Sequence, residues 1–320
     1  MKNIVKSVII LFCICLSDVY ANNFVKGVVA TYENDSVYRT DKYYSNGVQA
    51  VVFSNDFENE RFFSNIFNFQ NIESYNYTFG LGQKIYTPKS TKRKDFLKDD
   101  RPYAGYLYIF ANKNIWHDDI IDSFGLTFGT TGPNSFSEQS QKEIHRLIGS
   151  PIPQGWDNQL KNELLFMLSW SRAGVMYKTQ YTNGLESMFI PRITVDLGTP
   201  FTDIKPSFEF RFGKNLNLDF ISNKIENVAM GYKKQYDKSI YGFVGASANA
   251  ILYNTFLDGN ISGGVKTNID KKLFTYEVTA GVAGIWNNYY IKQSSTFLSK
   301  EFKQQDNCQV LFMITFGYLL

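Results

Sequence analysis

Gln141 and His145 are the pair whose types and spacing could most directly do chemistry. Residues four apart share one face of a helix, and a histidine titrates near neutrality, which suits it to take a proton from water as a general base. The pair lies in the stretch 131–163, TGPNSFSEQSQKEIHRLIGSPIPQGWDNQLKNE, dense in Gly, Pro and amide side chains. Ser137 to Leu147 reads as a short helix within a loop, with Ser137 as its N-cap and Gly149 as its stop. The chain has only two histidines. The other, His117, falls at a turn and reads as a surface residue.

Two further segments carry reactive side chains. Glu33-Asn34-Asp35 is followed by Ser45-Asn46-Gly47, which offers carboxylate, amide and hydroxyl oxygens, although Asn, Asp, Ser and Gly also make ordinary turns. Residues 87–101, TPKSTKRKDFLKDDR, gather Lys89, Lys92, Arg93, Lys94 and Lys98 on one loop. Cations so placed bind phosphate, Arg through its fork and Lys as a point charge, or simply solvate the loop. The chain has no G-x-S-x-G elbow, no H-E-x-x-H and no EF-hand loop.

These residues need a scaffold, and the rest of the chain describes one. Residues 1–21 have the form of a secretory signal: Lys2 and Lys6, an apolar run from Val8 to Leu16, and Val19-Tyr20-Ala21 before the cleavage point. Cys13 and Cys15 lie in it, so the mature chain from Asn22 keeps Cys308 alone, which allows neither an internal disulfide nor a zinc site of the C-x-x-C kind. Aromatic residues make up 17% of the sequence, yet no apolar run after the signal approaches the length of a spanning helix. A net charge of +3 without a basic run gives no reason to expect a nucleic-acid partner.

Alternation supplies the fold class. Phe208, Phe210 and Phe212 flank Glu209 and Arg211; even positions from Phe274 to Trp286 and from Val310 to Leu320 are largely apolar. Period two over about ten residues, with aromatics toward the ends and a polar opposite face, is the pattern of a membrane-spanning β-strand. Twelve such segments are expected, at 24–34, 43–54, 73–86, 102–112, 119–130, 161–177, 185–198, 203–214, 239–253, 273–286, 289–298 and 308–320. They predict one domain, 22–320, an all-β transmembrane antiparallel barrel, partly filled or with a narrow pore. With both termini periplasmic, the outward loops are 35–42, 87–101, 131–160, 199–202, 254–272 and 299–307. Val48, Ala50 and Val52 then face lipid, while Ser45, Gly47 and Gln49 point inward. The inner connections 55–72 and 215–238 are longer than periplasmic turns ordinarily are.

The topology brings Asn34-Asp35-Ser45, the basic loop and Gln141/His145 to one outer mouth. A histidine base, oxygens able to hold a hard cation, and phosphate-seeking cations together make a hydrolytic constellation. An anionic ester in the outer leaflet of an outer membrane is lipid A.

The chain resembles the outer-membrane lipid A 3′-O-deacylases, which are twelve-stranded barrels. The resemblance rests on Asn34-Asp35, Tyr44-Ser45-Asn46-Gly47, Tyr86-Thr87-Pro88 with Lys92-Arg93-Lys94, Asp100-Arg101, Gly132-Pro133, Gln141-x-x-x-His145-Arg146 with Ile148-Gly149, and Trp156 with Gln159. It implies a calcium-dependent hydrolase that removes the 3′-linked acyloxyacyl chain. His145 would deprotonate water with Gln141 helping to hold the site. Asn34 and Asp35 would sit at the catalytic centre or support Ca2+, with Ser45 standing where the family usually has threonine. A basic-loop residue, Lys92 or Arg93 beside Lys94, would bind substrate or stabilise the oxyanion. The acid that some members carry six residues after the histidine is Pro151 here; Glu163 or Asp157 could replace it. The implied partners are lipopolysaccharide and the surrounding outer-membrane lipids, and the chain is expected to act as a monomer. Two rival readings remain at this stage: an outer-membrane phospholipase with a serine nucleophile at Ser45, and a non-catalytic porin or adhesin barrel.

Overall fold

The computed structural model describes residues 24–320 apart from 39, 61, 68, 70, 229, 266 and 267. The segment 1–21 read as a signal peptide lies outside the described residues. The strands are β1 (Val25–Asn34), β2 (Tyr43–Ser54), β3 (Ile72–Thr87), β4 (Ala104–His117), β5 (Ile120–Thr131), β6 (Glu163–Gly174), β7 (Tyr177–Gln180), β8 (Glu186–Gly198), β9 (Phe201–Lys214), β10 (Leu218–Asp219), β11 (Tyr232–Lys233), β12 (Lys238–Asn254), β13 (Phe274–Trp286), β14 (Tyr289–Leu298) and β15 (Gln309–Leu319). Short β7 prolongs β6 along β8, while β10 and β11 pair only with each other. The remaining twelve are the staves of one closed antiparallel barrel, sealed where β1 pairs with β15 and completed by β6 against β8. The expected twelve-stranded barrel is therefore the observed one. The largest boundary difference is β4, which runs on to His117 instead of ending at 112.

Pleating explains which side chains face where. On β9, Phe208, Phe210 and Phe212 are 44%, 41% and 46% exposed, whereas Glu209 and Arg211 between them are 8% and 1% exposed. The outer wall is thus an apolar band, and the inner wall is polar, with Asn76, Thr78, Asn112, Asn114, Ser171 and Thr315 buried. Val48 is exposed and Gln49 is buried, as alternation requires.

The two long inner connections do different things. Residues 215–237, including the β10/β11 hairpin, fold into the lumen as a plug. Leu216, Leu218, Phe220, Ile221, Ile225, Val228, Met230 and Tyr232 are all buried. Plug and wall exchange ion pairs, Lys205 with Glu226, Lys224 with Glu277 and Arg211 with Asp219. Lys292 Nζ donates to Ile221 O over 2.8 Å. The other connection begins at the lumen, where Asp56 accepts from Asn76 Nδ2 at 2.6 Å, and then turns to the outside. The helix α1 (Phe62–Phe67) stacks Phe63 on the lipid-side Phe124 of β5 at 4.5 Å, and Lys113 pairs with Glu60 at 2.7 Å. This same segment covers His117, correcting its reading as a surface residue. His117 is 7% exposed, edge-on to Phe69 at 4.7 Å, with Nε2 3.3 Å from the buried Asp122.

Candidate active site

The third outward loop holds α2 (Ser137–Ile148). Glu138 in its first turn and His145 and Arg146 in its last complement the helix dipole. Gly149, at φ 71°, stops it in the left-handed conformation that favours glycine. The N-cap is Phe136, at φ 55°, and not Ser137 as the sequence led us to expect; Ser137 is already within the first turn. The reason is packing. Ser137, Gln141 and His145 form the buried face of the helix, and this face lies on β4 at Gly105, where a Cβ would stand 2.1 Å from Ser137 Oγ.

His145 and Gln141 are each held at two points. His145 Nδ1 is 2.7 Å from the carbonyl oxygen of Pro151, and its Nε2 is 3.7 Å from Asp41 Oδ2. Gln141 Oε1 accepts from the buried Trp156 Nε1 over 2.9 Å, and Gln141 Nε2 points to Asp41 Oδ1 at 3.4 Å. Trp156 packs on Tyr103 at 4.8 Å, which ties the far arm of the loop to the start of β4. The backbone carbonyl of Pro151 therefore orients the ring. Glu163, one of the two acids considered in place of Pro151, is committed elsewhere, accepting from the backbone of Ile261 and Ser262. Asp157, the other, is exposed.

Asp41 belongs to none of the motifs recognised in the sequence, yet it faces both residues of the pair. Thr91 Oγ1 also donates to it over 3.1 Å. Its neighbours are fixed by Asp35, whose Oδ2 accepts from Thr40 Oγ1 at 2.8 Å, Lys42 N at 3.0 Å and Gln309 Nε2 at 3.2 Å. Asp35 is buried, and its Oδ1 has no hydrogen-bond partner. Burial pushes the Asp35 carboxyl up to about 7 against these three donors, and the nearby Asp41 charge adds to the rise. Asn34 spends its Oδ1 on the backbone N–H of Ser36 (2.6 Å). Ser45 sits at a bulge in the β2–β3 pairing and shares a 2.7 Å hydrogen bond with Thr87 Oγ1. The structure thus joins His145 and Gln141 through Asp41, brings Asp35 to them through the 40–42 turn, and leaves the side chains of Asn34 and Ser45 on local partners.

The basic loop is fastened by its backbone. Thr91 O accepts from Gln154 N at 2.9 Å, and Lys94 O accepts from Asn158 Nδ2 at 2.6 Å. The side chains of Lys92, Arg93 and Lys94 are left exposed beside α2. Among the described residues no three His, Cys, Asp or Glu side chains gather as a metal site. Calcium takes roughly six to eight oxygens, many of them from carbonyls. The buried, unpartnered Asp35 Oδ1 is the feature that fits such an ion.

A closed barrel with an apolar outer band, a plugged lumen and a cluster of base, carboxylates and cations at one rim defines an integral outer-membrane protein with a hydrolase-like loop site. The family model described as "Outer membrane protein LpxR" matches residues 8–319. The chain belongs to that family, the outer-membrane lipid A deacylases, and its place is the outer membrane. Among solved structures it is similar to LpxR from Salmonella typhimurium, with a TM-score of 0.76 at 15% identity over 92% of this chain and 100% of that one. The β domain of the Bordetella autotransporter BrkA matches at a TM-score of 0.45 and 9% identity, over 92% of this chain and 98% of that one. No curated protein matches the sequence.

Proposed function

We propose that this protein is a calcium-dependent ester hydrolase that removes the 3′-linked acyloxyacyl chain from lipid A in the outer leaflet, working as a monomer. The observation that carries the reading is the setting of His145. A carbonyl oxygen can only accept, so the contact with Pro151 O keeps the proton of the neutral ring on Nδ1 and leaves the lone pair on Nε2. That is the form a general base needs before it takes a proton from water. Gln141, pinned by Trp156, keeps the loop in register with the ring. The exposed Lys92, Arg93 and Lys94 are suited to the phosphates of the lipid A headgroup. Calcium held by Asp35 and Asn34 would polarise the ester carbonyl.

A serine nucleophile finds no comparable support. Ser45 Oγ is bonded to Thr87, while the ring nitrogens of His145 face Pro151 and Asp41. The test is mass spectrometry of lipid A from outer membranes with and without the chain. Loss of one acyloxyacyl unit is expected, and it disappears with His145→Ala or on calcium chelation. An unchanged lipid A profile with the folded wild-type barrel would overturn the proposal.

A further inference from the structure

The structure assigns a catalytic part to Asp41: with His145 Nε2, its carboxylate holds the attacking water of the hydrolysis proposed above. The inference rests on that reading and extends it to a residue outside the recognised motifs. At 3.7 Å, Asp41 Oδ2 and His145 Nε2 are too far apart for a direct hydrogen bond. They are close enough for one water to donate one proton toward each. The lone pair is on Nε2 because Nδ1 faces the Pro151 carbonyl. The carboxylate is also aimed: Thr91 Oγ1 lies 3.1 Å from Oδ2 and Gln141 Nε2 3.4 Å from Oδ1. Thr40 and Lys42, the residues on either side, are both bonded to Asp35. Four groups from three outward loops therefore fix one half-buried carboxylate against the base.

The step balances with water as the only co-reactant. The water oxygen bonds to the ester carbonyl carbon as one O–H proton passes to Nε2, and the carbonyl π pair moves to its oxygen. Collapse restores the C=O bond and breaks the bond to the sugar-side oxygen, which leaves with the proton from Nε2. The products are a fatty acid and an alcohol. Asp41 gains and loses no proton in this step; its carboxylate orients the water and faces the imidazolium that forms beside it.

The experiment uses the full chain in detergent with lipid A as substrate and calcium as the titrant. Asp41→Asn is expected to lower kcat by about 10²–10³-fold, with KM and the calcium concentration for half-maximal activity unchanged; Asp41→Glu is expected to regain part of the rate. Thr91→Ala, which loosens the carboxylate without removing it, is expected to lower kcat several-fold and covers the case in which an Asp41 variant fails to fold. Wild-type kcat in Asp41→Asn, or in Thr91→Ala should the former misfold, overturns the inference. So does a rate that returns to wild type at raised calcium, which would make Asp41 a calcium ligand instead. Wild-type protein without activity on lipid A would sink the hydrolase reading itself, and is thereby distinguishable.

Discussion

Asp35 keeps three donors on one carboxylate oxygen and none on the other. Its carboxyl titrates at about 7 in the fold, against about 3.9 in an unfolded chain. The native state therefore holds the proton more tightly, and the chain loses stability as pH rises from about 4 to 7. Three pH units correspond to at most about 4 kcal/mol. Asn at this position is neutral and nearly isosteric. Its amide oxygen can accept from two of the three donors while its NH2 takes the unpartnered side. In chelator, Asp35→Asn is expected to unfold at a higher temperature than wild type at pH 8, with the advantage gone by pH 4, and to be inactive at both. Equal melting curves for the two proteins across that range would show that Asp35 stores no such cost. The contrast with Asp41 shows what sequence could convey. Gln141 and His145 were legible because one of only two histidines stands four residues from an amide on a short helix. Asp41 sits among Thr40 and Lys42 in an ordinary-looking turn, and only the closing of the barrel brings it to the histidine.

At the scale of elements, the strands were the legible part, because a two-sided wall between lipid and a polar lumen writes period two into every stave. Helix α2 was legible in extent and stop, but its cap was displaced by one residue. Packing on Gly105 draws Ser137 into the first turn, and no local signal records that contact. The plug was illegible for another reason: Leu216, Leu218 and Phe220, and then Val228, Met230 and Tyr232, do alternate, but each run is too short for a stave and nothing local says that it turns into the lumen. The seat of α2 yields a prediction. A side chain at position 105 would collide with Ser135 Oγ and Ser137 Oγ, at 2.0 and 2.1 Å from its Cβ. Gly105→Leu is expected to lift the helix from the wall and cost at least tenfold in lipid A hydrolysis. The heat-modifiable mobility of the folded barrel should stay as in wild type, because β4 pairs through its backbone with β3 and β5. Full activity in this variant would mean that the base does not depend on α2 resting against the wall.

At the scale of the molecule, the plug ties the lumen to the rim. Glu33, just before Asn34 and Asp35, accepts from Tyr44 OH and from the plug's Ile225 N, each at 2.5 Å. Gln49 Nε2 reaches Glu226 O in the plug at 2.7 Å. The plug therefore braces the strands that present the first outward loop while it occupies part of the space a porin would leave open. Its ion pairs with the wall locate it more than they stabilise it, since burying two charges costs about what their attraction returns. Asn217 Oδ1 accepts from the backbone N–H groups of both Gln235 and Tyr236, so the two ends of the plug already meet. Replacing 218–234 with two glycines should close that gap and leave the staves paired. In planar bilayers the wild-type barrel is expected to be electrically silent and the shortened one to conduct, while lipid A hydrolysis falls as the brace on Glu33 is lost. Conductance from the wild type would mean that the lumen is open despite the plug. Full hydrolysis by a conducting, shortened barrel would confine the plug to sealing and leave the rim to hold itself.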